Sequence, residues 1–396
     1  MLDEWQNSRL ERHSPVLRNA AEVLGFRPAM SSQLFSPITL RELTLSNRIV
    51  VSPMCQYSAH EGRASAWHLM HLGTLSLSGA GMLCIEATAV EPEGRISTGD
   101  LGLYDDPTEQ ALLPILKTIR EHSSVAVVMQ LAHAGRKASS ALPWHGGRAV
   151  SVADGGWQPF APSALPYKES DEPPLALDSA GLARVRDAFA QAAHRADRLG
   201  IQGIELHAAH GYLLHEFLSP LSNQRRDSYG GSLENRIRFP LEVFDAVRAA
   251  TPAHKPVGVR ISATDWTEGG WDVEQSIVFS RALQQRGVDW VTASSGGLSP
   301  KQQIKLAPGY QVPFSRAVKE GAGVHTMAVG LITEAQQAEA IVATGQADFV
   351  ALARGMLYDP RWGWHAAAAL GATVDAPPQY WRAPPREQSA LIRNAR

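Results

Sequence analysis

The chain has 396 residues and a formal net charge of −2, so nothing in its charge balance calls for nucleic acid or an anionic membrane as partner. No apolar run reaches the ~18 residues of a membrane span. Its two cysteines, Cys55 and Cys84, exclude a disulfide framework, a zinc knuckle and a four-cysteine iron–sulfur cluster within the chain.

Residues 1–30 are polar and charged (Arg9, Glu11, Arg12, His13) and lack an apolar signal core, so a cytoplasmic location is expected. We read them as a peripheral or disordered extension before a single domain over 31–396. Eight short apolar, β-branched runs follow: 48–51, 82–86, 125–130, 201–206, 257–261, 288–292, 326–329 and 349–352. Their apolar character is continuous rather than alternating, which predicts strands buried on both faces, as in a parallel sheet. Helical patterns intervene, among them 179–199, 233–250, 273–286 and 334–344, the last with Thr333 as N-cap and Gly345 just past its end. Eight strands each followed by a helix predict an α/β fold of the (β/α)8 TIM-barrel type. An open doubly wound sheet lacks support, because no Gly-x-Gly-x-x-Gly follows any strand. Long insertions at 132–178 and 219–231 follow the third and fourth strands, on the face where barrel enzymes build their sites. A proline-rich tail spans 376–385.

The strand ends carry the chemistry. Ser52-Pro53-Met54-Cys55-Gln56-Tyr57 follows strand one, Ala87 follows strand two, and Gln130 ends strand three. Strand four leads to His207, His210 and Tyr212, and strand five carries Arg260. Strand six ends in Ser294-Ser295-Gly296-Gly297, strand seven in Gly330, and strand eight in Ala353-Arg354-Gly355. Glycine and arginine after strands seven and eight form the common phosphate site of barrels. A phosphate there, an arginine at mid-site and an amide on strand three suggest a planar cofactor with a phosphate tail, and FMN fits. Arg260 would stabilise negative charge on the flavin, and Gln130 would pair with its pyrimidine edge.

His207, His210 and Tyr212 fall within six residues. Two imidazole donors beside a phenolic proton suit a carbonyl oxygen and a carbon awaiting a proton. The i, i+3 histidines could also hold zinc, but no third ligand of obvious spacing is present, so no metal is expected. A structural histidine pair and a packing tyrosine remain the plain readings. His68 and His71 share the spacing on a helical pattern and read as structural, as does Cys84 inside strand two. Arg226, Asp227 and Arg236 are expected to brace a loop as an ion network, with Ser232 capping the helix after it.

The turn at 52–57, Gln130-Leu131-Ala132-His133-Ala134-Gly135-Arg136-Lys137, the 207–212 segment and the 223–236 segment together resemble the old yellow enzyme family. The resemblance runs from about residue 34 to about residue 386. Cysteine in the first turn resembles the bacterial thermophilic-like subclass. The resemblance implies FMN as bound cofactor, with NADPH or NADH as hydride donor and a small electrophilic alkene as substrate (an enone, maleimide or nitroalkene). Ser52, Pro53, Met54, Cys55, Ala87, Gln130, Arg260, Ser295, Gly330, Ala353 and Arg354 are the expected FMN contacts. Residues matching His207 and His210 bind the electron-withdrawing oxygen, and the one matching Tyr212 donates the proton to the α-carbon. Cys55 would modulate flavin potential, and Tyr57 would bind substrate. Arg382 resembles an arginine that this subclass inserts into a neighbouring subunit's site, implying a homodimer or homotetramer, although Trp381 and Ala383-Pro384 depart from the commoner pattern. A catalytically idle FMN-binding or ligand-sensing barrel is the alternative.

Overall fold

The computed structural model describes residues 32–393, so the expected extension over residues 1–30 lies outside the described residues. Eight strands close a parallel barrel in strict chain order. They are β1 (Ile49–Val51), β2 (Met82–Ala89), β3 (Ala126–Ala132), β4 (Gly203–Ala208), β5 (Val257–Ser262), β6 (Trp290–Ser294), β7 (Thr326–Ala328) and β8 (Phe349–Leu352). Each is followed by a principal helix: α1 (Ala66–Ser76), α2 (Asp106–His122), α3 (Ser179–Arg198), α4 (Leu233–Ala250), α5 (Val273–Gln284), α6 (Val312–Ala322), α7 (Ala335–Ala343) and α8 (Trp362–Leu370). Every residue of β2 to β6 is buried, which is why these segments read as unbroken apolar runs. The expected (β/α)8 barrel is the observed one.

Alternation along each strand sorts the side chains into two sets. One set packs the strands against the helices. The other points inward and forms a separate cluster of Val50, Met82, Cys84, Val128, Trp290, Met327 and Phe349. A short antiparallel hairpin, Ile38–Leu40 with Leu43–Leu45, contributes Leu40 and Leu45 to that inner cluster and so plugs the amino-terminal end. Arg41 at its turn has φ 53° and its guanidinium binds Asp289 at 2.8 Å and the carbonyls of Ala253 and Gly287. The hairpin is thereby pinned across the loops that precede β5 and β6.

Strand boundaries differ from the sequence reading where polar residues continue a strand. β2 runs to Ala89, so Ala87 lies within the strand and not after it. It sits at a bulge: Ile85 pairs Met129 but Thr88 pairs Leu131, leaving one extra residue on β2. β4 likewise runs to Ala208 and includes His207. The apolar signal stops there, yet the ladder goes on, with Thr88 opposite Leu131 of β3 and His207 opposite Arg260 of β5.

Two local expectations are corrected. The N-cap of α7 is Glu334, and Thr333 instead donates its N–H to Gln337 at 3.3 Å. Asp227 pairs with Arg225, not Arg226, at 2.6 Å. Arg236 makes no ion pair there; it binds the carbonyls of Leu218 and Gly231 and the Gln275 side chain. Backbone carbonyls left bare by the irregular 219–231 loop need donors more than carboxylates do. Ser232 caps α4 as expected, accepting from the Asn235 N–H, and Gly345 follows α7 with φ 73°.

Candidate active site

The carboxyl ends of β1, β5, β7 and β8 enclose a cavity of about 160 Å³. Ser52, Arg260, Gly330, Ala353 and Arg354 line it, five of the residues expected around a phosphate-bearing cofactor, together with Gln311. Gly330 has φ 104°, and a Cβ there would come within 2.6 Å of the Gln311 amide, so the backbone lies open to the cavity only as glycine. Arg260 is buried on β5, and its Nε and Nη1 find no partner among the described residues. Buried charged donors without partners are costly, so their presence points to an anionic ligand. Ser295 lies farther round the same rim, its hydroxyl donating to Gln311 Oε1 at 2.5 Å.

Gln130 on β3 is buried, with its Nε2 donating to Glu205 Oε1 at 2.8 Å. Among the described residues one N–H and the amide oxygen have no protein partner. Glu205 was missed at the sequence level as a site residue, although its place two residues before His207 puts both on the inward face of β4.

The turn after β1 brings Pro53, Met54, Cys55 and Tyr57 to half-buried positions at the mouth. The Gln56 N–H donates to Glu86 on β2 at 2.9 Å, and Glu86 lies 3.3 Å from His68 Nε2. His68 Nδ1 in turn accepts from the Ser65 N–H at 3.0 Å, so His68 braces α1 and the turn together and is structural, as read. Burial, then Asp100 and Glu86, push the Cys55 thiol well above its ordinary range, so it is a neutral thiol. Tyr57 has φ 51°, and its ring meets Trp144 edge-on at 6.0 Å. Ala87 lies on the adjacent bulge.

His207, His210 and Tyr212 come together above these groups. The His207 ring meets His210 at 5.1 Å and Tyr212 at 4.9 Å, both nearly perpendicular. His207 Nδ1 accepts from the Ala209 N–H at 3.3 Å, which places its proton on Nε2. His210 Nε2 is 2.8 Å from the Ser294 hydroxyl. His210 has φ 59° and Gly211 φ 75°, and the chain here lies against Gly297, where a Cβ would come 2.5 Å from the His210 Cα. Only glycine permits that approach. Burial, then the Arg260 charge, hold both histidines well below the ordinary imidazole range. Burial, then Cys55 and Tyr57, raise the Tyr212 hydroxyl. At neutral pH the mouth therefore holds two neutral imidazoles and an un-ionised phenol.

Lys137 is a further member that sequence reasoning did not single out. Its Nζ donates to the carbonyls of His210 (2.8 Å) and Gly297 (3.1 Å) and lies 5.0 Å from the Tyr212 ring and 4.9 Å from the Tyr167 ring. Burial lowers it to about 8 against the opposing pull of Glu216, itself raised by burial to about 8. Its partners lie 73 and 160 residues away, so no local signal could have found it.

Arg382 is not brought to this mouth. It is exposed, and the neighbouring Trp381 lines a cavity with Ala80 and Val125, which precede β2 and β3 at the opposite end of the barrel.

The sequence profile of the NADH:flavin oxidoreductase / NADH oxidase family matches residues 33–371. An NADPH dehydrogenase of Geobacillus thermodenitrificans is 44% identical over 355 residues, covering 89% of this chain and 99% of that protein. One from Bacillus subtilis is 41% identical over 355 residues, 89% of this chain and 99% of its own. Among solved structures, morphinone reductase superposes with a TM-score of 0.71 at 26% identity, covering 89% of this chain and 93% of that one. Among the described residues no helix is long and apolar enough to cross a membrane. The orphaned Arg260 donors, the glycine-edged cavity and the half-free Gln130 amide fit FMN, and the chain belongs to the NADH:flavin oxidoreductase family, that of the old yellow enzymes.

Proposed function

We propose that the protein uses NADPH to reduce activated carbon–carbon double bonds, such as those of enones, maleimides and nitroalkenes. FMN, when bound, would supply the hydride-relay chemistry between the nicotinamide and the β-carbon of the alkene. Arg260 and Gln130 would hold the pyrimidine edge, and Ser52, Gly330, Ala353 and Arg354 the phosphate. Pro53, Met54, Cys55, Ala87 and Ser295 would complete the contacts. His207 Nε2 and His210 would donate to the substrate's carbonyl or nitro oxygen and draw electron density from the alkene. Tyr212, kept protonated by burial, would supply the α-carbon proton. Tyr57 faces the same mouth and would orient the substrate. Curated relatives named NADPH dehydrogenase favour NADPH over NADH, and two free thiols suit a reducing cytoplasm.

The observation that carries this reading is the clustering of two neutral imidazoles with an un-ionised tyrosine at the mouth above Arg260 and Gln130. Stopped-flow analysis of Tyr212→Phe tests it. Flavin reduction by NADPH should proceed as in wild type, while reoxidation by an enone slows by a factor of about 10²–10⁴. Equal loss in both half-reactions refutes the proton-donor role. A yellow protein that reduces no alkene would instead be a ligand-binding barrel.

We also propose that Arg382 serves a neighbouring copy in a homodimer or homotetramer. Trp67 and Met70 on α1 are 46% and 59% exposed, and Tyr380 beside Arg382 shares a cavity with Met70. Light scattering should report at least a dimer, and Arg382→Ala should raise the substrate KM; a monomer with full activity refutes this.

A further inference from the structure

Glu205 is a buried acid at the centre of the barrel that the reaction proposed above does not use. It is 3% exposed and stands on β4 between Gln130 of β3 and Gly258 of β5. Three donors converge on it: Gln130 Nε2 at 2.8 Å on Oε1, and Trp290 Nε1 at 3.2 Å and Thr292 Oγ1 at 2.6 Å on Oε2. Gly258 makes room for this arrangement, since a Cβ there would come within 2.4 Å of the Trp290 indole nitrogen. Among the described residues no ion pair links Glu205 to Arg260, which stands opposite His207 two residues nearer the mouth and whose Nε and Nη1 stay unpartnered. The acid is thus spent wholly on orienting neighbours.

An unconstrained glutamine amide can present either its oxygen or its nitrogen to a ligand. The pyrimidine edge of a flavin alternates acceptor, donor and acceptor, so a flipped amide would set donor against donor. With Nε2 drawn down to Glu205, the Gln130 oxygen is free to accept from the ring N–H, and the remaining amide N–H can donate to a ring carbonyl.

We infer that Glu205 is a positioning residue for the cofactor: through its bond to Gln130 it fixes which way that amide faces the FMN pyrimidine edge, and its charge holds down the reduction potential of the bound FMN. The inference rests on Gln130 meeting the pyrimidine edge, as proposed above. The potential follows from electrostatics: the pyrimidine edge gains negative charge on reduction, and an acid in the layer beneath opposes that gain.

The test compares Glu205→Gln, Gln130→Ala and the double variant as full-length proteins. FMN affinity is measured by fluorescence titration of the apoproteins, and the potential of the bound FMN by equilibration with a reference dye. Glu205→Gln should weaken FMN binding about tenfold and shift the potential to a more positive value. The double variant should bind FMN no more weakly than Gln130→Ala, because both changes act on one contact. Unchanged affinity and potential in Glu205→Gln, or losses that simply add in the double variant, overturn the inference. If Gln130→Ala binds FMN like wild type, the reading of Gln130 itself fails, and the two failures are told apart. Should Glu205→Gln not fold, Glu205→Asp keeps the charge but shortens the reach to Gln130. It should weaken FMN binding while leaving the potential near wild type, and wild-type FMN affinity in that variant overturns the inference as well.

Discussion

Replacing Arg260 by methionine should move stability and affinity in opposite directions. The Arg260 Nε and Nη1 are buried without partners among the described residues, beside a cavity of about 160 Å³. Each charge-assisted bond they make to a ligand is worth about 1.5–3 kcal/mol, and two on one guanidinium are not additive, so their loss costs about 2–4 kcal/mol. That corresponds to a roughly 30- to 1,000-fold rise in the Kd for FMN. In the apoprotein the same donors have no partner among the described residues, and methionine fills similar volume without a charge to desolvate. Water entering the cavity solvates part of the guanidinium, which leaves a gain of about 1 kcal/mol and a melting temperature higher by roughly 1 °C. Fluorescence titration of FMN into apoprotein gives the first quantity, and calorimetry of the apoprotein the second. An apo Arg260→Met protein that melts lower than wild type, yet binds FMN equally well, would mean that the guanidinium is satisfied within the fold, and the cofactor argument collapses.

Ser294→Ala removes the hydroxyl beside His210 Nε2 and with it the choice of which ring nitrogen faces the mouth; the affinity of the FMN-loaded protein for an added phenol, a probe whose oxygen would accept from the two imidazoles and whose ring would give a long-wavelength charge-transfer band over the flavin, should fall about fivefold, by about 1 kcal/mol. Gly297→Ala places a Cβ 2.5 Å from the His210 Cα at a residue with φ 89°. It should destabilise the fold by about 1–3 kcal/mol and abolish phenol binding, whereas normal binding would show that the close approach is not needed. The Glu216 carboxyl is raised to about 8 from 4.5, so the folded state binds the extra proton between those values and stability falls as pH rises through that window. Glu216→Gln should flatten the decline in melting temperature between about pH 5 and 8, and an unchanged slope would assign it to another group, such as Asp100, raised by burial to about 7.

The eight strands were legible because a parallel strand buried on both faces writes itself as an uninterrupted apolar run. Their carboxyl ends were less so: His207 belongs to a strand by hydrogen bonding but to the mouth by polarity. The plugging hairpin escaped because each of its strands is three residues long and carries a polar threonine at its centre. Within the site, sequence pattern located Gln130, His207, His210, Tyr212 and Arg260, since each stands at or beside a strand end whose position the barrel dictates. Lys137 and Gln311 stand on long loops, and their contacts depend on how those loops fold back. Glu205 lay in plain view, two residues from His207, yet an acid inside an apolar strand says nothing of its purpose until Gln130, Trp290 and Thr292 are seen around it.

Among the described residues the hairpin of residues 38–45 closes the amino end of the barrel and leaves the carboxyl end open. Leu40 and Leu45 stop the amino end, so whatever meets the groups around Tyr212 arrives and departs through the carboxyl-terminal mouth. If, as proposed, the nicotinamide and the alkene both meet those groups, each must vacate the mouth before the other enters. Initial rates should accordingly give parallel double-reciprocal lines, the signature of a ping-pong sequence. Either reactant in excess should inhibit, by taking the place out of turn.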